Sequence, residues 1–329
     1  MIIAAGALLS LCLCGLYMKK AAQWELADIP NERSSHVVPT PHGGGVGIIT
    51  ALLLCVIGGF FSGIPWRPEL GFITFVALIL CIVGVLDDKY DLSARLRLLV
   101  YGALISLCVL VIVPFAAYGL AGSVFLAAGA VLALLWLTNL YNFMDGIDAL
   151  AALQAILACG AAAYLVWSFA GGETYVLYLS LFAACHLGFL FWNFPPARLF
   201  MGDAGSVPTG FVLGALALYG HWQGLLPIAC WLILLAVFIT DATYTLIWRF
   251  ADGQVVTEAH RSHAYQRLSR HFNSHLAVVA IFVLLFVFWL FPCALAAVIW
   301  PQAQALLVIL VYVPLVIVMF NLRQLGFDK

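Results

Sequence analysis

The sequence predicts an all-α, polytopic membrane protein with about eleven transmembrane helices. Three observations carry that expectation. Of 329 residues, 65% are hydrophobic and only 9% are charged, against roughly 25% charged in soluble domains. No soluble fold of this length hides so much apolar surface. The apolar runs are continuous and mostly about 17–24 residues long, enough for a helix to cross a hydrocarbon core of about 30 Å. A membrane barrel would instead show shorter, alternating segments.

In chain order the spans are expected at 2–18, 44–62, 70–86, 98–116, 121–140, 149–169, 175–192, 207–222, 225–248, 275–297 and 303–320. The first run has no basic n-region and no A-x-A-like cleavage site, so it reads as a retained span rather than a signal peptide. Lys19 and Lys20 follow it directly. Basic residues at span ends prefer the cytoplasm, which puts the N-terminus outside and every second loop inside. Arg33 then falls in the first inside loop, and Lys89, Arg95 and Arg97 in the second. Arg198 is in the fourth, Arg249, Arg261, Arg267 and Arg270 are in the fifth, and Arg323 and Lys329 form a cytoplasmic C-terminal tail. Only Arg67 lies outside. A missed span would flip half the loops, so this bias supports the count as well as the orientation. With no internal repeat and no linker, residues 1–329 read as a single integral-membrane domain. The nine cysteines all lie in apolar runs without a CxxC pair and read as small buried hydrophobes.

Nearly every Asp and His falls in the inside loops. Asp87-Asp88-Lys89-Tyr90-Asp91 closes the third span. One Asp there would be a solvated helix end, with Asp91 capping the next helix; paired carboxylates at a membrane edge point to a cation or a proton. Asn142, Asp145 and Asp148 follow the fifth span at intervals of three, on one face if the segment stays helical, although Gly146 could break it. After the seventh span, Pro195 and Pro196 stop the helix, and Gly202-Asp203-Ala-Gly205 permits close backbone approach to a ligand. Asp203 alone would read as a helix cap; as the third carboxylate station on one side it gains weight.

The fifth inside loop is cationic, with His260, Arg261, His263 and Arg267. Its spacing suits zinc poorly and an anion well, because arginine and histidine donate to phosphate oxygens. The first inside loop carries His36, Thr40 and a Gly43–Gly45 run, which serves close helix packing or backbone approach to a phosphate. His186 and His221 read as structural. Asp241, within the ninth span, either pairs with a neighbouring helix or lines a cavity. Together the oxygen donors suit Mg²⁺, with Mn²⁺ as the alternative. Mg²⁺ beside arginines suits phosphoryl chemistry. A site at the membrane face lets one substrate be a lipid and the other water-soluble.

Three ordered motifs carry a resemblance: Asp87-Asp88, Asn-Phe-Met-Asp-Gly-Ile-Asp at 142–148, and Phe-Met-Gly-Asp-Ala-Gly-Ser at 200–206. They resemble the signatures of the polyprenyl-phosphate N-acetylhexosamine-1-phosphate transferases (glycosyltransferase family 4). That family includes the phospho-MurNAc-pentapeptide translocases and the enzymes that start O-antigen and enterobacterial common antigen synthesis. The resemblance implies that undecaprenyl phosphate attacks the sugar-bearing phosphate of a UDP-sugar and releases UMP. It implies Mg²⁺ on Asp203 with Asn142 nearby, and Asp87, Asp88 and Asp145 as the catalytic acids, with a base or only an orienting group among them. Asp148, Asn193 and Phe200 match positions near the uracil, with Phe200 suited to stacking. Arg95 and Arg97 match the basic stretch for the lipid phosphate. His36, Thr40 and Pro41 match the nucleotide side, and His260, Arg261 and His263 the sugar pocket. It further implies a multi-pass protein of the bacterial inner membrane, active on the cytoplasmic side, with homodimerisation left open.

One departure matters. The pentapeptide-transferring members carry a run of histidines where this chain has His260-Arg261-Ser262-His263. That favours a simple N-acetylated sugar and the start of a surface polysaccharide such as O-antigen over the MurNAc-pentapeptide reaction. A transporter would place its charges near the bilayer midplane, in repeated halves. A scaffold would not need carboxylates at three stations.

Overall fold

The computed structural model describes residues 1–21, 27–28, 39–255 and 260–324. Arg33 and His36 of the first loop and Glu258 of the fifth lie outside the described residues. The helices are α1 (Ile2–Ala21), α2 (Gly45–Phe61), α3 (Pro68–Tyr90), α4 (Ala94–Ile112), α5 (Leu120–Phe143), α6 (Leu150–Phe169), α7 (Glu173–Asn193), α8 (Asp203–Trp222), α9 (Ile228–Leu234), α10 (Ala236–Ala251), α11 (Ala264–Phe272), α12 (His275–Leu285), α13 (Phe291–Ile299) and α14 (Gln304–Gln324). Two short strands, β1 (Ala27–Asp28) and β2 (Thr40–Pro41), pair antiparallel.

Each expected span falls on a helix, and α11 is added in what the sequence presents as a loop. The architecture is that of a polytopic all-α membrane protein. Among the described residues, eight helices, with α12 and α13 counted as one, are long and apolar enough to cross a membrane, and α9 with α10 makes a ninth if the bent pair is one span. The helix α2 is only 17 residues long, and α8 starts with the polar run Asp203-Ala-Gly-Ser-Val-Pro-Thr. The polarity of α8 follows from its place. It is buried along nearly its whole length and packs against α2, α3, α4 and α5, so its surroundings are protein rather than lipid. Outer faces are the reverse: Leu99, Phe125, Leu132, Leu306 and Phe288 stand exposed, a liability in water but the expected surface in a bilayer.

Two helices break. The ninth span, read from sequence as continuous over 225–248, bends by 72° between α9 and α10, with neither Gly nor Pro at the break. Gln154, fully buried in α6, donates through Nε2 to the Leu234 carbonyl at 3.2 Å, so the bend leaves that acceptor satisfied. Between α12 and α13 the helix switches to a π turn over Phe286–Leu290, just before Pro292, which lacks the N–H that would continue the ladder. In α7, His186 is fully buried, with Nδ1 facing the Phe182 carbonyl at 2.9 Å and Nε2 facing Thr209 Oγ1 at 3.0 Å. It is structural, as its isolation suggested. All nine thiols are free. Asp91 does not cap α4: it ends α3 with φ 50°, and Ser93 takes the cap, accepting the Leu96 N–H.

Candidate active site

The polar helix ends converge at one end of the bundle. Asp87 and Asp88 form the last turn of α3, Arg97 the first turn of α4, Asn142 the last turn of α5, and Asp203 is the first residue of α8. Small residues allow this approach. A Cβ on Gly84 would lie 2.5 Å from the backbone of Asp203 and Ala204, so α3 and the start of α8 are in backbone contact there. Gly202 has φ 69°, a conformation that glycine adopts freely, and a side chain there would meet Asp88 Oδ2 at 2.9 Å. The Gly43–Gly45 run serves packing: a Cβ on Gly45 would fall 2.0 Å from the Gly205 Cα.

Asp203 is the hub. Its Oδ1 accepts from Asn142 Nδ2 at 2.7 Å, its Oδ2 lies 3.3 Å from Arg97 NH1, and its backbone N–H donates to Asp88 Oδ1 at 3.3 Å. Asn142 Nδ2 also reaches Ser206 Oγ at 2.9 Å, which leaves the amide oxygen as the side chain's remaining acceptor. Arg97 pairs with Asp87 as well, and Asp87 Oδ1 accepts the Leu92 N–H at 2.8 Å. Asp88 Oδ2 is buried without a hydrogen bond among the described residues, and His42 Nδ1 lies 3.4 Å from it.

Asp145 and Asp148 have left the helix. α5 ends at Phe143, and the chain turns through Gly146 to Ala149, which has φ 65°. The three-residue spacing therefore does not place Asn142, Asp145 and Asp148 on one helical face. Burial, followed by the charges of Asp203, Asp88 and Asp148, holds the Asp145 carboxyl well above the usual carboxylate range. Asp87 and Asp203 thus share one arginine, with Asp88 beside them on the Asp203 N–H. Among the described residues no three acidic, His or Cys side chains close on a point. Asp203 and the neighbouring Asp88 are carboxylates of the kind Mg²⁺ takes one or two of, its shell being completed by water and substrate phosphates.

Asp148 and Asn193 tie two loops together. Asp148 Oδ2 accepts the Ala197 N–H at 3.0 Å and lies 3.2 Å from His275 Nδ1. Asn193 accepts the Ala149 N–H at 2.9 Å and donates to the Leu199 carbonyl at 3.0 Å. The Phe200 N–H donates to the Pro41 carbonyl at 2.9 Å, and its carbonyl accepts the Gly44 N–H at 2.8 Å. Thr40, just before Pro41, is buried.

Beside Asp203 opens a cavity of about 950 Å³ between α4, α5, α10 and the segment that starts α11. Arg97, Asn142, Asp203, His260, His263 and Gln266 line its polar end. Leu98, Leu132, Leu135, Trp136, Leu246, Ile247 and Phe250 line its apolar flank. Leu132, Ile247 and Phe250 stand 66%, 65% and 76% exposed, so the flank is open to lipid. The last two turns of α10 supply Leu246, Ile247 and Phe250 to this flank.

The two arginines of α4 part company. Arg97 enters the site, whereas Arg95, two residues away on the helix, is exposed and lines no part of the cavity. The Arg261 side chain is likewise exposed. His260 is half-buried, and burial, then the neighbouring His263 and Arg249, lowers its pKa to about 4. Its neutral form is favoured there. Residues missed from sequence are His42, His275 and Tyr101. Tyr101 lines the cavity with its buried hydroxyl unpaired among the described residues. Its only sequence signal is its position one turn beyond Arg97 on the same face.

Comparison with known proteins shows the family. Residues 70–221 match Glycosyl transferase family 4, a stretch that contains Asp87, Asp88, Arg97, Asn142, Asp145, Asp148 and Asp203. The chain is 31% identical over 304 residues to a probable undecaprenyl-phosphate N-acetylglucosaminyl 1-phosphate transferase of Bacillus subtilis, covering 88% of this chain and 83% of that protein. It is 28% identical over 294 residues to a decaprenyl-phosphate N-acetylglucosaminephosphotransferase of Mycobacterium tuberculosis, covering 78% and 72%. It is 29% identical over 227 residues to a phospho-N-acetylmuramoyl-pentapeptide-transferase of Shouchella clausii, covering 63% and 68%. The chain belongs to the polyprenyl-phosphate N-acetylhexosamine-1-phosphate transferase family.

Proposed function

We propose that this protein transfers an N-acetylhexosamine 1-phosphate from a UDP-sugar to undecaprenyl phosphate, releasing UMP. The observation that carries the reading is the cavity, charged at one end and open to lipid along its flank. Such a shape accepts one substrate from water and another from the bilayer. The prenyl chain lies along Leu132, Leu135, Ile247 and Phe250, and its phosphate reaches Arg97 and the Tyr101 hydroxyl. The nucleotide occupies the side framed by Thr40, Asp148, Asn193 and Phe200.

The acceptor phosphate is already anionic, so its attack needs little deprotonation. The barrier lies in bringing anions together and in stabilising the departing UMP. Arg97 lowers the first cost at the acceptor side. Asp203, oriented by Asn142 and Arg97, and Asp88, beside it on the Asp203 N–H, are the groups that would hold Mg²⁺. When bound, the ion would neutralise charge on the diphosphate. Asp87, clamped by Arg97 and the Leu92 N–H, orients the cluster.

The reading extends to a cytoplasmic-membrane protein of eleven spans with the N-terminus outside, the active site facing the cytoplasm, and a product that starts a lipid-linked surface polysaccharide such as O-antigen. It is supported by the distribution of Lys and Arg and by the His260-Arg261-Ser262-His263 segment. The test is purified protein with Mg²⁺, undecaprenyl phosphate and a panel of UDP-sugars, including UDP-N-acetylglucosamine, UDP-N-acetylgalactosamine and UDP-MurNAc-pentapeptide. UMP release with an N-acetylhexosamine donor is expected, lost on chelation and restored by Mg²⁺ or Mn²⁺. Release with the pentapeptide donor alone would move the protein to peptidoglycan synthesis. No release from any donor, with the lipid verified, would reject the transferase reading.

A further inference from the structure

Asp241 sits in the middle of α10, and its side chain is 4% exposed. A carboxylate at that depth is costly unless it is fully engaged. It does not line the cavity. Its Oδ1 accepts the Ala264 N–H at 3.0 Å and the Thr245 hydroxyl at 3.2 Å, and its Oδ2 accepts the Tyr265 N–H at 3.1 Å. Ala264 and Tyr265 are the first two residues of α11. Their N–H groups have no partner inside their own helix, and the residue just before them is His263, which leaves Asp241 to satisfy them from another helix. The same Oδ1 lies 3.2 Å from His263 Nδ1. The His263 side chain and Gln266 also form a capping box at this end of α11, so Asp241 and His263 hold the same turn.

The first turn of α11 is held on its other side too. Tyr265 Oη donates to the Phe143 carbonyl at 2.9 Å, and the Tyr265 ring stacks on His263. A Cβ on Gly146 would fall 2.1 Å from Tyr265 Oη, so the turn carrying Asp145 closes directly against α11.

We propose that Asp241 is a positioning residue: by capping α11 from within α10 and holding His263 through Nδ1, it sets the His260–His263 segment over the polar end of the cavity. The inference rests on the transferase reading for its kinetic consequence, and on geometry alone for the cap. Both parts are testable. Hydrogen–deuterium exchange on the full-length protein in detergent reads the cap directly. Peptides covering 260–272 should exchange about tenfold faster in Asp241→Ala than in wild type. Asp241→Asn, which keeps one acceptor oxygen, should fall between them, with the 94–112 and 203–222 helices unchanged. Equal exchange in all three proteins would overturn the proposal.

Kinetics read the consequence. Asp241→Ala should raise the donor KM about tenfold, with the acceptor KM within about twofold of wild type. Adding it to His263→Ala should cost little more than His263→Ala alone, because groups acting through one another are not additive. Losses that multiply would mean that Asp241 does not act through His263, and would overturn that part of the proposal. If wild-type protein releases no UMP, the transferase reading fails and the exchange experiment still decides the cap.

Discussion

Replacing Gly84 by alanine tests whether the approach of α3 to α8 builds the site. The added methyl would sit 2.5 Å from the Asp203 carbonyl carbon and oxygen and from the Ala204 nitrogen, where ordinary contact begins at 3.4 Å. These are backbone atoms at the start of a buried helix and cannot swing aside, so the two helices must part by about 0.9 Å, the gap between those distances. Overpacking of this kind costs about 1–3 kcal/mol. Asp87 and Asp88 lie three and four residues further on, on the same face of α3, so the displacement is carried to Asp203 and Arg97. A misplacement of about 1 Å lowers turnover on the order of 100-fold. The assay is UMP release per folded protein, with thermal unfolding measured in the same detergent. Gly71→Ala is the control, since a methyl there meets nothing within 4 Å on the same helix. Wild-type turnover and an unchanged melting temperature in Gly84→Ala would refute the reasoning.

Three further outcomes are expected. Asp203→Asn should lose nearly all turnover while eluting and melting as a folded protein, because the amide oxygen still accepts from Asn142; wild-type turnover would remove Asp203 from the reaction. Tyr101→Phe should raise the KM for the lipid acceptor about 10- to 150-fold, the scale of one lost hydrogen bond to a charged group, with donor KM unchanged. Its melting temperature should be no lower, since its hydroxyl has no partner among the described residues; a lower one would show a structural role. His260 keeps its proton less well in the folded protein, at about 4, than at its ordinary 6.5. Between those values the unfolded chain binds more protons, so stability should rise with pH across that window. The rise should be shallower in His260→Gln, as read by melting temperature from pH 4.5 to 7; parallel curves would contradict the assignment.

Some of this was legible without coordinates. Continuous apolar runs placed a helix at every expected span, because a bilayer forces each backbone polar group to pair within its own segment. The three carboxylate stations stood out because acids at membrane edges are costly and therefore conspicuous. Asp203, Asn142, Asp87 and Asp88 came from that argument and from the motifs, and they do converge. Spacing misled at Asp145 and Asp148, because α5 already ends at Phe143 and the chain then turns through Gly146 to the left-handed Ala149. It also could not separate Arg95 from Arg97, since only the rotation of α4 against α3 and α8 decides which arginine turns inward.

The sequence by itself determined that this chain lives in a membrane, where its helices run and at which helix ends its acids gather, because those properties depend on local composition and on the cost of burying charge. Only the tertiary structure decided that α9 and α10 bend without Gly or Pro, that Tyr101, His42 and His275 join the site, and that Asp241 faces α11 rather than the cavity. Each depends on a partner distant in the chain: Gln154 at the bend, Asp88 for His42, Asp148 for His275, the Ala264 and Tyr265 amides for Asp241. Pairing of that kind leaves no periodicity to read, because it arises when helices already specified by the bilayer settle against one another.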